Sequence, residues 1–401
     1  MTQHIDETLI GTYLYKTQPR ILMGKIYLDH NATTPVAPEV SEAMLKYLTT
    51  EWGNPSSTYA FGAKLKGEIE GARRSVAELL NSLSSEVIFT SSATESINTA
   101  LWSCTGNGDK DKTIVTSVVE HSATLNFCGR AKERGARVNY IDVNSNGELN
   151  LDQLREALEK KPSIVSLMWV NNETGVIFPI EDISLLCLKH GIPLHVDAVQ
   201  AVGKVPVDFS KLKGITYLSL SAHKINGPKG IGVLLARKTA PFIPLINGGH
   251  QERGRRGGTE NVPGIIGLGV AANITHKRVT ANSQSTRKIQ QILEDGILRL
   301  RSDAVINGQG AKRVSNTTSV TFPGIESESL LLMLDKEGIC ASSGSACLAD
   351  SEGPSHVIKA MHPSTSQARE TVRLSTGTHN SEEEAYEILK ILERSISKLA
   401  K

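Results

Sequence analysis

From about Ile26 to Arg237, short apolar runs rich in valine and isoleucine alternate with longer stretches whose apolar residues recur at helical spacing. The strand-like runs are Glu86–Thr90, Thr113–Ser117, Arg137–Val143, Ile164–Val170, Pro193–Asp197, Ile215–Ser221 and Gly232–Ala236. Helical patterns lie between most of them, at Ala60–Leu80, Thr94–Ser103, Ser122–Arg134, Asn150–Lys160 and Ile180–His190. A parallel neighbour needs a long crossover connection, so this order predicts an α/β fold: a mostly parallel sheet covered on both faces. In such sheets ligands gather beyond the carboxyl ends of the strands.

The glycine-rich segment Asn247–Thr259 breaks the alternation. A long helical pattern from about Pro263 to Arg301 follows, then strands near Thr317–Phe322, Ile339–Ser342 and Thr371–Ser375, with helices at Glu326–Lys336 and Ser381–Leu399. This second half predicts a smaller α+β domain. The expected division is a large domain over 33–265 and a small one from 23–32 and 266–401. Residues 1–22 form an extension without an assigned role, and Met23 is a plausible alternative start. With 401 residues there is room for two such units.

Composition narrows the function. The net charge is +2 with basic residues spread along the chain, so no direct nucleic-acid binding is expected. Five cysteines without a C-x-x-C pair suit neither a disulfide framework nor a zinc site, and a reducing cytoplasm fits them best. No apolar run is long enough to span a membrane, and no signal core opens the chain.

Several strand candidates end in polar residues. Lys224 follows Ile215–Ser221; a desolvated lysine can form a Schiff base, though a surface lysine is the plain alternative. Ser221 and His223 beside it can donate to a phosphate. Ser91-Ser92-Ala93-Thr94-Glu95 joins a strand to a helix, where backbone N–H groups and the Thr94 hydroxyl make either an anion site or an ordinary cap. Asp197 ends a buried strand and needs a partner, either a pyridinium nitrogen or a structural cation. His121 can be an acid/base group or a packed imidazole. Asn172 can bond a phenolic oxygen or form a turn. Arg373, inside an apolar strand, can clamp a substrate carboxylate or serve a structural ion pair. Cys347 lies at the tip of Ser342-Ser343-Gly344-Ser345-Ala346-Cys347, a stretch that predicts a flexible loop, and must become a thiolate to attack. Cys104, Cys128, Cys187 and Cys340 sit in helix or strand patterns, where inert packing is expected.

Taken together, Tyr27–Pro35, Gly53–Ser57, Ser92–Ser96, Glu120-His121, Asn171–Glu173, Asp197–Gln200, Ser221–Lys224, Gly257–Asn261 and Ser342–Cys347 resemble the NifS/IscS-type cysteine desulfurases, in order and over some nine-tenths of the chain. The resemblance implies the fold-type I architecture of aminotransferases, pyridoxal 5'-phosphate, an L-cysteine substrate, a homodimer and a sulfur-acceptor protein. It implies Lys224 as the Schiff-base lysine, Asp197 as partner of the pyridine nitrogen and His121 as the ring-stacking acid/base residue. Gln200 and Asn172 would contact the phenolic oxygen. Ala93, Thr94, Ser221 and His223 would hold the phosphate, with Thr259 reaching in from the other subunit. Arg373 would bind the substrate carboxylate, with Asn172 also at the substrate, and Cys347 would receive the sulfur, on the longer-loop form of the motif.

Three departures bear on the acceptor. Tyr59 stands where the family commonly has histidine, Leu348-Ala349-Asp350 replaces small hydroxyl residues after the cysteine, and the sequence stops soon after the helix near Leu399. Competing readings are an aminotransferase or selenocysteine lyase of the same fold, in which Cys347 would be dispensable, and a non-catalytic binding subunit.

Overall fold

A computed structural model describes residues 25–106, 110–344, 354–363 and 366–399. The chain enters through a two-residue strand, β1 (Ile26–Tyr27). It then builds a seven-stranded sheet from β2 (Val87–Thr90), β3 (Thr113–Ser117), β4 (Arg137–Ile141), β5 (Ile164–Met168), β6 (Leu194–Asp197), β7 (Ile215–Ser221) and β8 (Gly232–Ala236). Their order across the sheet is β2-β8-β7-β6-β5-β3-β4. Six strands run the same way, and β8 runs antiparallel to both of its neighbours. The mostly parallel sheet is as expected. The reversal of β8 has a simple cause: only the short stretch 222–231 links it to β7, too little for a crossover back to the starting edge.

Side chains alternate across the sheet and split the core in two. Phe89, Val115, Val165, Leu218 and Leu235 point to one face, and Ile88, Ile114, Ile164, Tyr217 and Leu234 to the other. The first face is covered by α1 (Pro38–Thr49) and α2 (Ala60–Leu80), and the second by α3 (Ala93–Thr105) and α4 (Ser122–Glu133). Helix α1 lies outside the expected helical stretches, although Pro38 at its first position and Glu39 in its first turn are start signals. Helices α5 (Leu151–Glu159) and α6 (Ile180–His190) complete the first layer.

The 39-residue helix α7 (Val262–Leu300) joins this core to a second one. Its first half packs Leu268 and Ala271 into the large core. Its last turns carry Ile289, Leu293 and Ile297 into the other. Gly269 lets α7 press on α2, since a Cβ there would stand 2.7 Å from the Ala72 Cα. In the second core β10 (Thr317–Thr321) lies between β9 (Val305–Ile306) and β12 (Thr371–Ser375), antiparallel to both. Strand β1 pairs in parallel with β11 (Ile339–Cys340). Helices α8 (Ser327–Lys336) and α10 (Glu382–Leu399) cover these strands, and a short α9 (His356–Met361) packs against the large core.

Candidate active site

The strand register sets the site. Met168 stands beside Asp197 and Asp197 beside Ser219, so β5, β6 and β7 finish at one edge, where β3 also ends. Each strand then releases the polar residues singled out in the sequence.

After β7 the chain makes a single tight turn, Ala222–Lys224, closed by Gly227 N–H donating to the Ala222 carbonyl at 2.9 Å. A Cβ at Gly227 would meet the Ala222 Cβ at 2.8 Å, so only glycine fits. The Lys224 ammonium donates to the carbonyls of Asn31 and Ala32, each at 2.6 Å. The segment after β1 therefore wraps the lysine. Thr34 donates twice to the His223 carbonyl, and His223 Nδ1 lies 3.1 Å from Thr33 Oγ1.

Asp197 is buried at the end of β6, where its Oδ1 accepts the Val199 N–H at 3.0 Å. Burial pushes its carboxyl up to about 6, against the pull of that N–H and of Lys224. Among the described residues it forms no ion pair, so the structural cation considered in the sequence is not there. A buried carboxylate in no close ion pair among the described residues suits the protonated ring nitrogen of pyridoxal phosphate.

His121 caps α4, with Nδ1 accepting the Ala123 N–H at 3.1 Å. That bond leaves Nε2 as the nitrogen that exchanges a proton. Burial, then Lys224 and His356, pushes the imidazole down to about 4, so it is neutral at physiological pH. Its neighbour Glu120, not singled out from sequence, is wholly buried. Oε1 accepts from Ser117 Oγ at 2.6 Å and from Met168 N–H at 3.0 Å, while Oε2 has no partner among the described residues. Burial pushes this carboxyl up to about 8.

Arg373 extends from β12 in the second core and is 2% exposed, which leaves no room for bulk water to share its charge. Nη2 donates to Asp29 at 2.6 Å and Nη1 to the Asn172 carbonyl at 3.0 Å. Nε is buried with no partner among the described residues. The ion pair weighed in the sequence is therefore present, and the Nε–H is an unspent donor among the described residues. Asn31 Nδ2 donates to the same Asn172 carbonyl at 3.0 Å. Lys224 and Arg373 are thus linked through two residues, Asn31 and Asn172. Gln200 joins this group, its Nε2 donating to the Asn31 carbonyl at 2.9 Å. Asn31 went unassigned in the sequence, where it was visible only as part of the Tyr27–Pro35 motif.

At the head of α3, Ser92 rather than Thr94 is the cap, and Glu95 reaches back to the Ser91 N–H at 2.7 Å. Thr94 is exposed beside Ala93, and its hydroxyl is not spent on capping. Gly232 opens β8 against this turn; a Cβ there would lie 2.6 Å from the Ser92 carbonyl carbon. An α-helix start with an uncommitted hydroxyl suits a phosphate. Ser221 is buried one residue before the lysine turn. Thr259 is exposed and makes no hydrogen bond with these groups among the described residues. Tyr59 is exposed at the start of α2.

Cys347 and Leu348-Ala349-Asp350 lie outside the described residues, as do residues 1–24. Gly344 and Ser355, on either side of that stretch, both meet buried Glu173. Ser355 donates to its Oε2 at 2.5 Å, and a Cβ at Gly344 would lie 2.7 Å from the same oxygen. Burial pushes Cys104 up to about 11 and Cys128 and Cys187 to about 12, and raises Cys340, so these thiols are poor nucleophiles.

Over residues 26–388 the sequence matches the family Aminotransferase class-V. The chain belongs to that family. A cysteine desulfurase of Gluconacetobacter diazotrophicus is 45% identical over 379 residues, covering 94% of each chain. A solved NifS-like protein superposes with a TM-score of 0.87 at 37% identity, covering 94% of this chain and 100% of that one. SspA in complex with cysteine superposes with a TM-score of 0.78 at 35% identity, over 88% and 98% of the two chains. The class-V family depends on pyridoxal phosphate, and this chain falls within its cysteine desulfurases. Among the described residues no helix is long and apolar enough to cross a membrane.

Proposed function

We propose that this desulfurase converts L-cysteine to L-alanine and takes the sulfur onto Cys347 as a persulfide for delivery to an acceptor protein. The observation that carries the reading is the link from Lys224 through Asn31 and Asn172 to Arg373, which sets an amine and a buried guanidinium around one space. When bound, pyridoxal phosphate supplies an electron sink next to the substrate Cα. Lys224 is the amine that would hold it and would move the proton at the substrate Cα. Asp197 holds positive charge at the ring nitrogen, and Asn172 and Gln200 serve the phenolic oxygen. Ala93, Thr94, Ser221 and His223 hold the phosphate. His121, neutral at physiological pH, would exchange a proton with the substrate through Nε2. Arg373 turns its unspent donor to the substrate carboxylate.

Cys347 thiolate then attacks the substrate sulfur. An S–S bond forms as the Cβ–S bond breaks, the electron pair stays with carbon, and a proton completes the alanine methyl group. Cysteine and thiol become alanine and persulfide, with no external oxidant or reductant. In this reading the unit 33–265 carries the cofactor, and 23–32 with 266–401 brings Arg373 and Cys347 to it. A homodimer, with Thr259 serving the partner's site, is supported by exposed Leu45, Leu48, Trp52 and Tyr59 around α1 and the start of α2; the protein's place is the cytoplasm, whose reducing conditions suit a free Cys347 thiol. The acceptor belongs to iron–sulfur cluster assembly, tRNA thiolation or DNA phosphorothioation.

The test is to load the chain with pyridoxal phosphate, add L-cysteine and a thiol, and measure alanine and sulfide. Equal amounts are expected, and none from Lys224→Ala. A keto acid in place of alanine would overturn the reading.

A further inference from the structure

The turn after β6 carries a second lysine. Backbone bonds from Ala201 and Val202 to Ala198, and from Lys204 and Val205 to Ala201, wind 198–205 so that Gln200 and Lys204 share a side. The Lys204 amine donates to Gln200 Oε1 and, at 2.8 Å, to Asn31 Oδ1. Both amides are also bonded at their other ends, Gln200 through one of its two N–H groups. Gln200 Nε2 donates to the Asn31 carbonyl, the group that also receives Lys224. Asn31 Nδ2 donates to the Asn172 carbonyl and, at 2.9 Å, to Thr317 Oγ1. Among the described residues no carboxylate faces Lys204. Burial, and then the neighbouring charges of Lys224 and Arg373, push its pKa well down.

We propose that Lys204 is a positioning residue, which anchors the oxygen end of the Gln200 amide so that its NH2 stays beside Lys224 as the donor offered to a ligand there. This rests on the reading that Gln200 serves the phenolic oxygen of pyridoxal phosphate. Without the amine, Gln200 Oε1 becomes a buried acceptor lacking a donor. The side chain is then free to turn toward the cavity that Lys204 shares with Ser283, Gln284, Arg287 and Lys288. An N–H at the phenolic oxygen draws off electron density, so the proton that gives the bound cofactor its pH-dependent colour is held less tightly. Losing that N–H moves the colour change to higher pH.

The test titrates the absorption band of the cofactor-loaded protein in the wild type, Lys204→Met, Gln200→Leu and the double variant. Lys204→Met should raise the midpoint by about one pH unit, and should add little when Gln200 is already leucine. Lys204→Arg keeps donors only, has the cavity to fit into, and should stay near the wild-type midpoint. An equal rise in both backgrounds would mean that the lysine acts by its own charge, which overturns the proposal. So would a Lys204→Arg shift as large as that of Lys204→Met, a comparison with wild type that stands even if the double variant does not fold. A wild-type chain that binds no cofactor would instead overturn the functional reading beneath it.

Discussion

Asp197→Asn should make the cofactor-free chain more stable and the loaded enzyme slower. Burial raises the Asp197 carboxyl from 3.8 to about 6. At about 1.4 kcal/mol for each unit, keeping it ionised in the fold costs about 3 kcal/mol. The raised value means that the folded chain holds this proton more tightly than the unfolded chain does. The penalty is therefore absent well below 3.8, grows through the window up to about 6, and is complete above it. Asparagine keeps an Oδ1 for the Val199 N–H and has nothing to ionise. Urea denaturation of the cofactor-free proteins should show Asn more stable by about 1–3 kcal/mol at neutral pH, with the gain vanishing near pH 4. With cofactor bound, the same change removes the partner of the ring nitrogen. Breaking a buried pair costs about 3–5 kcal/mol, or roughly 10²–10⁴-fold in kcat. A variant no more stable at neutral pH, or equally stabilised at both pH values, would refute the claim that this carboxylate waits for a cation.

Three other outcomes follow from the same geometry. Arg373→Lys keeps a charge but loses the fork, and should cut kcat/KM for L-cysteine by about 10²-fold, mostly through KM; an unchanged KM would show that the carboxylate binds elsewhere. NMR titration of cofactor-free protein should find His121 neutral down to about pH 4, because burial and Lys224 disfavour its charge; a midpoint near 6.5 would contradict that burial. Glu252 receives both Arg73 Nη atoms in a buried bidentate pair and also the Phe89 N–H, so Glu252→Ala should leave Arg73 with Glu70 alone as its counter-charge and destabilise the fold by about 3 kcal/mol in urea, and a loss under 1 would count against it.

The strands that the sequence located best are those whose local chemistry is sufficient. The β-branched run Thr113–Ser117 and the buried run Ile215–Ser221 are bounded as their side chains dictate. The two-residue strands β1 and β9 were missed because their only signal is a partner far along the chain: Ile26 pairs with Ile339, and Val305 with Thr321. The direction of β8 was not legible either, since a strand pattern carries no polarity. In the site, residues that end strands could be read one by one, as with Asp197, His121 and Lys224. Asn31 and Lys204 could not. Their role comes from bonds across 173 positions, where an ordinary turn lysine and a loop asparagine become one network. Glu120 was passed over because only the fold shows that it is wholly buried.

The central claim is that the substrate's sulfur goes to Cys347. The direct measurement is a single turnover with L-cysteine and no added thiol, followed by quantifying alanine and mapping the added sulfur by mass spectrometry. Alanine and Cys347 persulfide should appear in equal amounts, and Cys347→Ser should bind the cofactor yet form neither. Persulfide on Cys104 or Cys340, or undiminished alanine from Cys347→Ser, would contradict the account.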